Sequence, residues 1–144
     1  MIEIRYARMI DIDKWKEIDK HISIKELENQ INLKRAWLIL YDNEIVGVLR
    51  YNLFWDSIPF LTMIHLTESH KRKGIGREVM NYWESEMKKL HHKMVMTSTQ
   101  IDEEAQHFYR KLGYVERGSL FLDGTPFHQP QEVILIKPQL FIVT

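Results

Sequence analysis

Lys71-Arg72-Lys73-Gly74-Ile75-Gly76-Arg77 joins two patterns of different period. Before it, Phe60 to Leu66 is an apolar run of strand length, read as a central strand apolar on both faces. After it, Val79, Met80, Trp83, Met87 and Leu90 recur at three- and four-residue steps, the spacing of one helix face. The stretch is therefore a strand-to-helix turn carrying two glycines and four cations. A helix N-terminus leaves backbone N–H groups unsatisfied and carries partial positive charge. Glycines let an anion approach those amides closely. The chemistry indicated is a phosphate or pyrophosphate site; the alternative is a basic turn whose glycines serve geometry alone. Two other phosphate loops do not fit. A P-loop needs Lys-Ser or Lys-Thr after its second glycine, and Arg77-Glu78 follows Gly76 here. A dinucleotide loop needs a third glycine, and residue 79 is Val.

Working outward, Ile2, Ile4 and Tyr6 alternate with Glu3 and Arg5 as a first strand. Asp11 or Asp13 caps a helix carrying Ile12, Trp15 and Ile18, and Ser23 with Glu26 has capping-box spacing ahead of Ile24, Leu27 and Ile31. Ala36–Tyr41 and Ile45–Tyr51 read as a hairpin around Asp42-Asn43, with an aromatic-rich loop from Asn52 to Pro59. On the far side, Met94–Thr97 is a short strand, Asp102 starts a helix that Gly113 stops, and Tyr114–Leu122 and Val133–Lys137 are final strands. The order is β-αα-ββ-β-α-β-α-β-β. That is an α/β fold on a mixed, mostly antiparallel sheet of about seven strands with about four helices.

The chain has 144 residues, near the ~150 expected of one domain, and no linker or repeat divides it. One domain over 1–144 is expected. Twenty Lys and Arg balance twenty Asp and Glu, so no global field favours nucleic acid or an acidic membrane. The absence of Cys excludes disulfides, thiolate metal sites and Cys nucleophiles. No apolar run approaches the ~20 residues of a membrane span, and Met1-Ile2-Glu3-Ile4-Arg5 is no secretory signal. A soluble cytoplasmic protein without a metal centre is expected; the histidines show no ligand spacing.

A second motif follows the short strand. Asp102, Ala105, Tyr109, Gly113 and Tyr114 stand at the spacing of Asn-x-x-Ala-x-x-x-Tyr-x-x-x-Gly-Phe, and Lys71-Arg72-Lys73-Gly74-Ile75-Gly76 at that of Gln/Arg-x-x-Gly-x-Gly/Ala. With both motifs one helix and one strand apart, the chain resembles the GNAT superfamily of acetyl-CoA-dependent N-acyltransferases, and the element order matches over nearly its whole length.

The resemblance implies an acetyl-CoA-dependent N-acetyltransferase working by direct transfer in a ternary complex. The coenzyme A pyrophosphate falls to the amides of Arg72–Arg77. Gly74 and Gly76 give close approach, Ile75 anchors the turn in the core, and Lys71, Lys73 or Arg77 meets further phosphates. Lys71 replaces the family's Gln or Arg. The pantetheine arm falls to Ile64-His65-Leu66, with the Leu66 N–H facing the thioester carbonyl, where a donor stabilises the oxyanion that forms as the amine adds. Tyr109 matches the general acid that protonates the leaving sulfur; the alternative is a packed aromatic. Asp102 replaces the family's Asn, as a contact to the cofactor arm or only as a helix cap.

The base is open. His65 titrates near neutrality, Glu68 and Asp56 sit in turns, and a water relay through Thr97, Ser98 and Thr99 needs no ionised base. Family knowledge places the acceptor near Trp15, Phe54, Trp55, Asp56, Phe121, Asp123 and His128. Aromatics there can hold an amine by cation–π contact; the alternative puts Trp15 in the core and Phe54-Trp55 over the sheet edge. The acceptor is a primary amine of a small molecule or peptide. A homodimer through Leu140-Phe141-Ile142-Val143 is a further option. Against the enzyme stands a non-catalytic acyl-CoA sensor on the same fold. Against both stands a nucleic-acid module, a poor match for four cations flanked by Glu68 and Glu78.

Overall fold

The computed structural model describes residues 1–138 and 140. Of the proposed dimer segment, only Leu140 falls within them. Seven strands form one mixed sheet, and four α-helices accompany it. The elements are β1 (Ile2–Tyr6), α1 (Ile12–Ile18), α2 (Ile24–Asn32), β2 (Ala36–Tyr41), β3 (Glu44–Phe54), β4 (Ile58–Leu66), α3 (Ile75–Lys89), β5 (Val95–Gln100), α4 (Ala105–Lys111), β6 (Val115–Leu120) and β7 (Glu132–Lys137). Short 3₁₀ turns occupy Met9–Asp11 and Glu68–His70. The strand order is β1-β2-β3-β4-β5-β7-β6, and β4 pairs β5 in parallel through the α3 crossover. Both the order of elements and the central place of β4 match the expectation.

Tertiary contacts divide the chain into two units. The first holds Met1–Asn52 and Thr62–Tyr82. Here Trp15, Leu27 and Ile31 bury against Ala36, Leu38, Leu40 and Val48, the inward alternation of β2 and β3. Ser23 caps α2 as its spacing predicts, its Oγ accepting from the Glu26 N–H at 3.2 Å. Asp11 holds the N-cap position of α1 but does not cap it. Its carboxylate instead accepts two hydrogen bonds from Arg5 (2.9 and 3.1 Å) and one from the Arg8 N–H (2.8 Å). Asp42 and Asn43 both have positive φ, 50° and 69°, as a two-residue type I′ turn requires. The β2–β3 register slips at Ile39/Leu40, so Val46 is a bulged residue on β3.

The second unit holds Leu53–Leu61 and the described residues from Trp83 onward. Its buried residues include Trp83, Met87, Val95, Tyr109, Tyr114, Val133 and Leu135. β7 pairs antiparallel with both β5 and β6. Thr97 faces Leu135 and Thr99 faces Val133 in the register, so these four share one face of the sheet.

Four boundary and burial expectations are corrected. Asn52 to Pro59 is no loop: β3 runs to Phe54 and β4 starts at Ile58, because Trp55 (φ 53°) and Asp56 (φ 61°) close a two-residue turn with Ser57 N–H donating to Phe54 C=O at 3.2 Å. β4 is not apolar-buried on both faces: Leu61 and Leu66 are buried, while Thr62 and His65 are exposed. Leu90 lies past the end of α3 and is exposed, so it drops out of the helical face. Asp102 does not start α4; it sits in a turn set by the Glu103 N–H on the Gln100 carbonyl (3.0 Å), and the helix begins at Ala105.

Candidate active site

In the first unit the chain leaves β4 at Leu66, which is buried. The Thr67 N–H donates to the carbonyl of the bulged Val46 at 2.8 Å. Beside it, a Cβ on Gly47 would stand 2.7 Å from the His65 carbonyl oxygen and 2.7 Å from Leu66 Cδ2. Glycine is thus required for β3 to approach His65-Leu66 this closely. His70 then folds back, its Nδ1 within 3.0 Å of both Thr67 Oγ1 and Ser69 Oγ and its ring against Tyr41.

The basic turn follows. Lys71 pairs with Glu68 at 3.0 Å, and this partner holds the Glu68 carboxyl below its usual range. Arg72 (φ 61°) and Gly74 (φ 81°) turn the backbone into α3, and the Glu78 N–H on the Gly74 carbonyl (3.2 Å) is the first helical bond. The N–H groups of Ile75, Gly76 and Arg77 precede that bond and have no acceptor within the helix. Ile75 is buried and anchors the turn, as expected. Arg72, Lys73 and Arg77 are exposed and make no ion pair among the described residues. An array of amides with three uncommitted cations suits a polyanion such as a pyrophosphate.

His65 is exposed on β4 near this turn, and Ile64 is half-buried. Desolvation and then Lys71 lower the His65 pKa, with Asp19 and Glu68 opposing. The imidazole is therefore neutral at neutral pH. Asp19 itself is buried. Burial pushes its carboxyl up, but Arg50 Nε (2.8 Å), the Trp15 indole N–H (3.1 Å) and the His21 N–H (3.2 Å) outweigh this and leave it below the usual range. Trp15 is 0% exposed and committed to Asp19, so it has no surface to offer an acceptor. The core alternative is correct for this residue.

In the second unit, Tyr109 is buried at 6% exposure. Its position follows from how α4 ends. The Gly113 N–H donates to Arg110 C=O and the Tyr114 N–H to Tyr109 C=O, both at 3.1 Å, with Gly113 at φ 97°. This is a Schellman closure, and its usual apolar contact is the Tyr109–Tyr114 ring pair, with centroids 5.7 Å apart. Burial raises the Tyr109 pKa to about 12, with the Thr97 hydroxyl opposing. The phenol keeps its proton at neutral pH. Thr97 Oγ1 in turn donates to Leu61 C=O at 2.9 Å. Asp102 is exposed and caps nothing.

Tyr114, where the motif carries Phe, has a reason of its own. Its hydroxyl donates to Glu84 Oε2 at 2.8 Å, and Lys137 Nζ donates to Glu84 Oε1 at 2.7 Å. The sequence reading missed this buried triad because its members lie 30 and 53 residues apart. It also missed Glu132 on β7. Ser98 Oγ donates to Glu132 Oε2 at 2.6 Å, and Gln129 Nε2 donates to Oε1 at 3.0 Å. Of the expected hydroxyl relay, Thr97 donates to Leu61, and the buried Thr99 hydroxyl has no partner among the described residues.

At the hairpin tip, the Phe54 ring lies tilted against Trp55, with centroids 4.7 Å apart, and neighbours Phe60 at 6.4 Å. Trp55 is 79% exposed, and Asp56 is exposed beside it. Phe121, Asp123 and His128 are likewise exposed. Among the described residues no group of three or more His, Asp or Glu could hold a metal.

A mixed seven-stranded sheet with the β4–α3–β5 parallel crossover and a glycine turn at the head of α3 is the architecture of GNAT acyltransferases. The acetyltransferase (GNAT) family model matches residues 5–114, and the chain belongs to that family. Solved structures agree on the fold. The ribosomal-protein-S18-alanine N-acetyltransferase from Escherichia coli superposes with a TM-score of 0.81 at 16% identity, covering 99% of this chain and 97% of that one. Aminoglycoside 6'-acetyltransferase type Ii gives 0.79 at 20% identity, covering 99% of each. A GNAT family acetyltransferase from Elizabethkingia anophelis with acetyl-CoA bound gives 0.75 at 18% identity, covering 95% and 97%. No curated protein sequence matches the chain significantly.

Proposed function

We propose that the protein is an acetyl-CoA-dependent N-acetyltransferase acting as one domain over residues 1–144 and moving an acetyl group directly to a primary amine of a small molecule or peptide. The observation that carries this is the turn at the head of α3, where the N–H groups of Ile75, Gly76 and Arg77 have no acceptor within the helix, beside Arg72, Lys73 and Arg77, which make no ion pair among the described residues. These groups hold the phosphates of coenzyme A. When bound, acetyl-CoA supplies the activated acetyl group. Ile64, His65 and Leu66 pair with its arm, the Leu66 N–H supports the carbonyl oxygen, and Tyr109 gives its proton to the departing sulfur. Lys71 contributes less than its neighbours, since Glu68 already neutralises it. Asp102 serves as a contact to the arm, as its exposure and lack of a capping role allow. Phe54, Trp55 and Asp56 form an acceptor-side wall. A cytoplasmic setting suits the Cys-free composition, and no described helix is long and apolar enough to cross a membrane.

The test has two stages. Acetyl-CoA and coenzyme A raise the melting midpoint while NAD and ATP at equal concentration do not; at 100 Kd the expected gain is about 2.7 kcal/mol. Thiol release from acetyl-CoA is then followed with an N-terminal-alanine peptide, kanamycin and spermidine. A midpoint that responds to coenzyme A without amine-dependent thiol release favours the sensor alternative. No response at all removes the reading of the glycine turn.

A further inference from the structure

We propose that Ser98 is the catalytic residue that takes the proton from the attacking amine, and that Glu132 receives it through Ser98. This rests on the acetyltransferase reading above. Transfer by a neutral amine needs two proton movements: the nitrogen loses one and the sulfur gains one. Tyr109 accounts only for the second. β4 carries no carboxylate, and neither does β5.

The pairing of β5 with β7 brings a carboxylate to β5 from outside it. The parallel pairs of β5 are Phe60↔Met96 and Leu61↔Thr97, and Ser98 follows the second of them. Successive strand residues point to opposite faces. Thr97 shares its face with buried Leu135 and lies beside Tyr109. Ser98 therefore points to the other face, together with Glu132 and Ile134, which are only half-buried. An amine arriving from solvent can reach this face, whereas Tyr109 lies on the opposite one. The β4 pairing of β5 ends at Leu61↔Thr97, so a carbon at the strand edge beside Ser98 lies between the two faces, with Ser98 on one side and Tyr109, beside Thr97, on the other.

The hydrogen bond has the polarity a relay needs. Ser98 donates its own proton to Glu132 at 2.6 Å, which leaves the Oγ lone pairs free to accept an N–H. As the nitrogen bonds to the acetyl carbon, its proton passes to Ser98 Oγ while the Ser98 proton passes to Glu132 Oε2. The C–S bond breaks, and the sulfur takes the Tyr109 proton. Glu132 then releases its proton to solvent and Tyr109 regains one, so charge and atoms balance. Gln129 fixes the second carboxylate oxygen at 3.0 Å. The cross-strand neighbours of Glu132, Gln100 on β5 and Leu120 on β6, carry no charge. The nearest titratable residue along the chain is His128.

The experiment compares wild type with Glu132→Gln, Ser98→Ala, Ser98→Thr and His65→Gln. It measures the melting midpoint, acetyl-CoA binding by calorimetry, and thiol release with the N-terminal-alanine peptide, kanamycin and spermidine from pH 6 to 10. Glu132→Gln and Ser98→Ala are expected to fold and bind acetyl-CoA as wild type does, yet lose about 100-fold or more in kcat at neutral pH. The deficit shrinks as pH rises and hydroxide replaces the relay. Ser98→Thr, which keeps the hydroxyl, recovers most of the rate. A uniform loss across the pH range, or one that tracks a lowered midpoint, makes the pair structural and overturns the proposal. Unchanged kcat in both variants overturns it while leaving the acetyltransferase reading intact, and a loss confined to His65→Gln gives the role to His65. A wild type silent with every amine removes that reading and the relay together.

Discussion

Tyr109 and Asp19 are both buried yet hold opposite ionisation states, because Arg50 stands beside Asp19. Burial of Tyr109, with the Glu103 charge adding to it against the Thr97 hydrogen bond, keeps the phenol protonated, with a pKa of about 12. That is the state a proton donor needs. Tyr109→Phe keeps the ring contact with Tyr114 and removes the proton; kcat for thiol release is expected to fall about 100-fold with acetyl-CoA binding unchanged. Asp19 is held ionised by Arg50, so its folded pKa lies below its unfolded one. Such a group contributes stability above the unfolded carboxylate range, about pH 4, and that contribution is lost as pH falls through the folded value. Asp19→Ala, which strands the Arg50 guanidinium, should cost about 3–5 kcal/mol at pH 7 in a urea melt. The difference from wild type should narrow toward pH 2.

At the level of elements, three helices end in the same way with different residues. α2, α3 and α4 close through Lys34, His91 and Gly113, each at positive φ, with the following N–H reaching back five residues to Gln30, Met87 and Tyr109. Only the last is glycine. Gly113→Ala should therefore cost roughly 1–2 kcal/mol and disturb Tyr109 through the shared closure. His91→Gly should raise the melting midpoint by a few degrees, since it relieves left-handed strain at an exposed position. The same contrast explains what the sequence revealed. Gly113 announced its turn, and Ser23 its cap. Trp55 and Asp56 did not, because an aromatic and an acid rarely take left-handed φ, so a tight hairpin read as a loop. Asp102 misled because an acid ahead of a helix has the look of a cap even when the turn is closed by its neighbour Glu103, whose Oε1 accepts from the Gln100 N–H at 3.1 Å.

Across the whole molecule, local patterns carried the fold and failed where distant strands meet. The period change around Lys71–Arg77 set the order of the elements. No periodicity reports that β7 inserts between β5 and β6, and this pairing is what brings Glu132 to Ser98. Similarly, Trp15 read as a wall for the acceptor because its partner Asp19 meets Arg50 only after β3 returns. The four tryptophans also divide sharply by environment. Trp15, Trp37 and Trp83 are almost wholly buried, and Trp55 stands in solvent at the hairpin tip. Intrinsic fluorescence should therefore contain one red-shifted emitter among blue ones. Iodide should quench only that component, and Trp55→Phe should abolish it. If the hairpin tip does line the acceptor's path, an amine that docks there would shield a single, already assigned fluorophore, making the native protein its own optical titration.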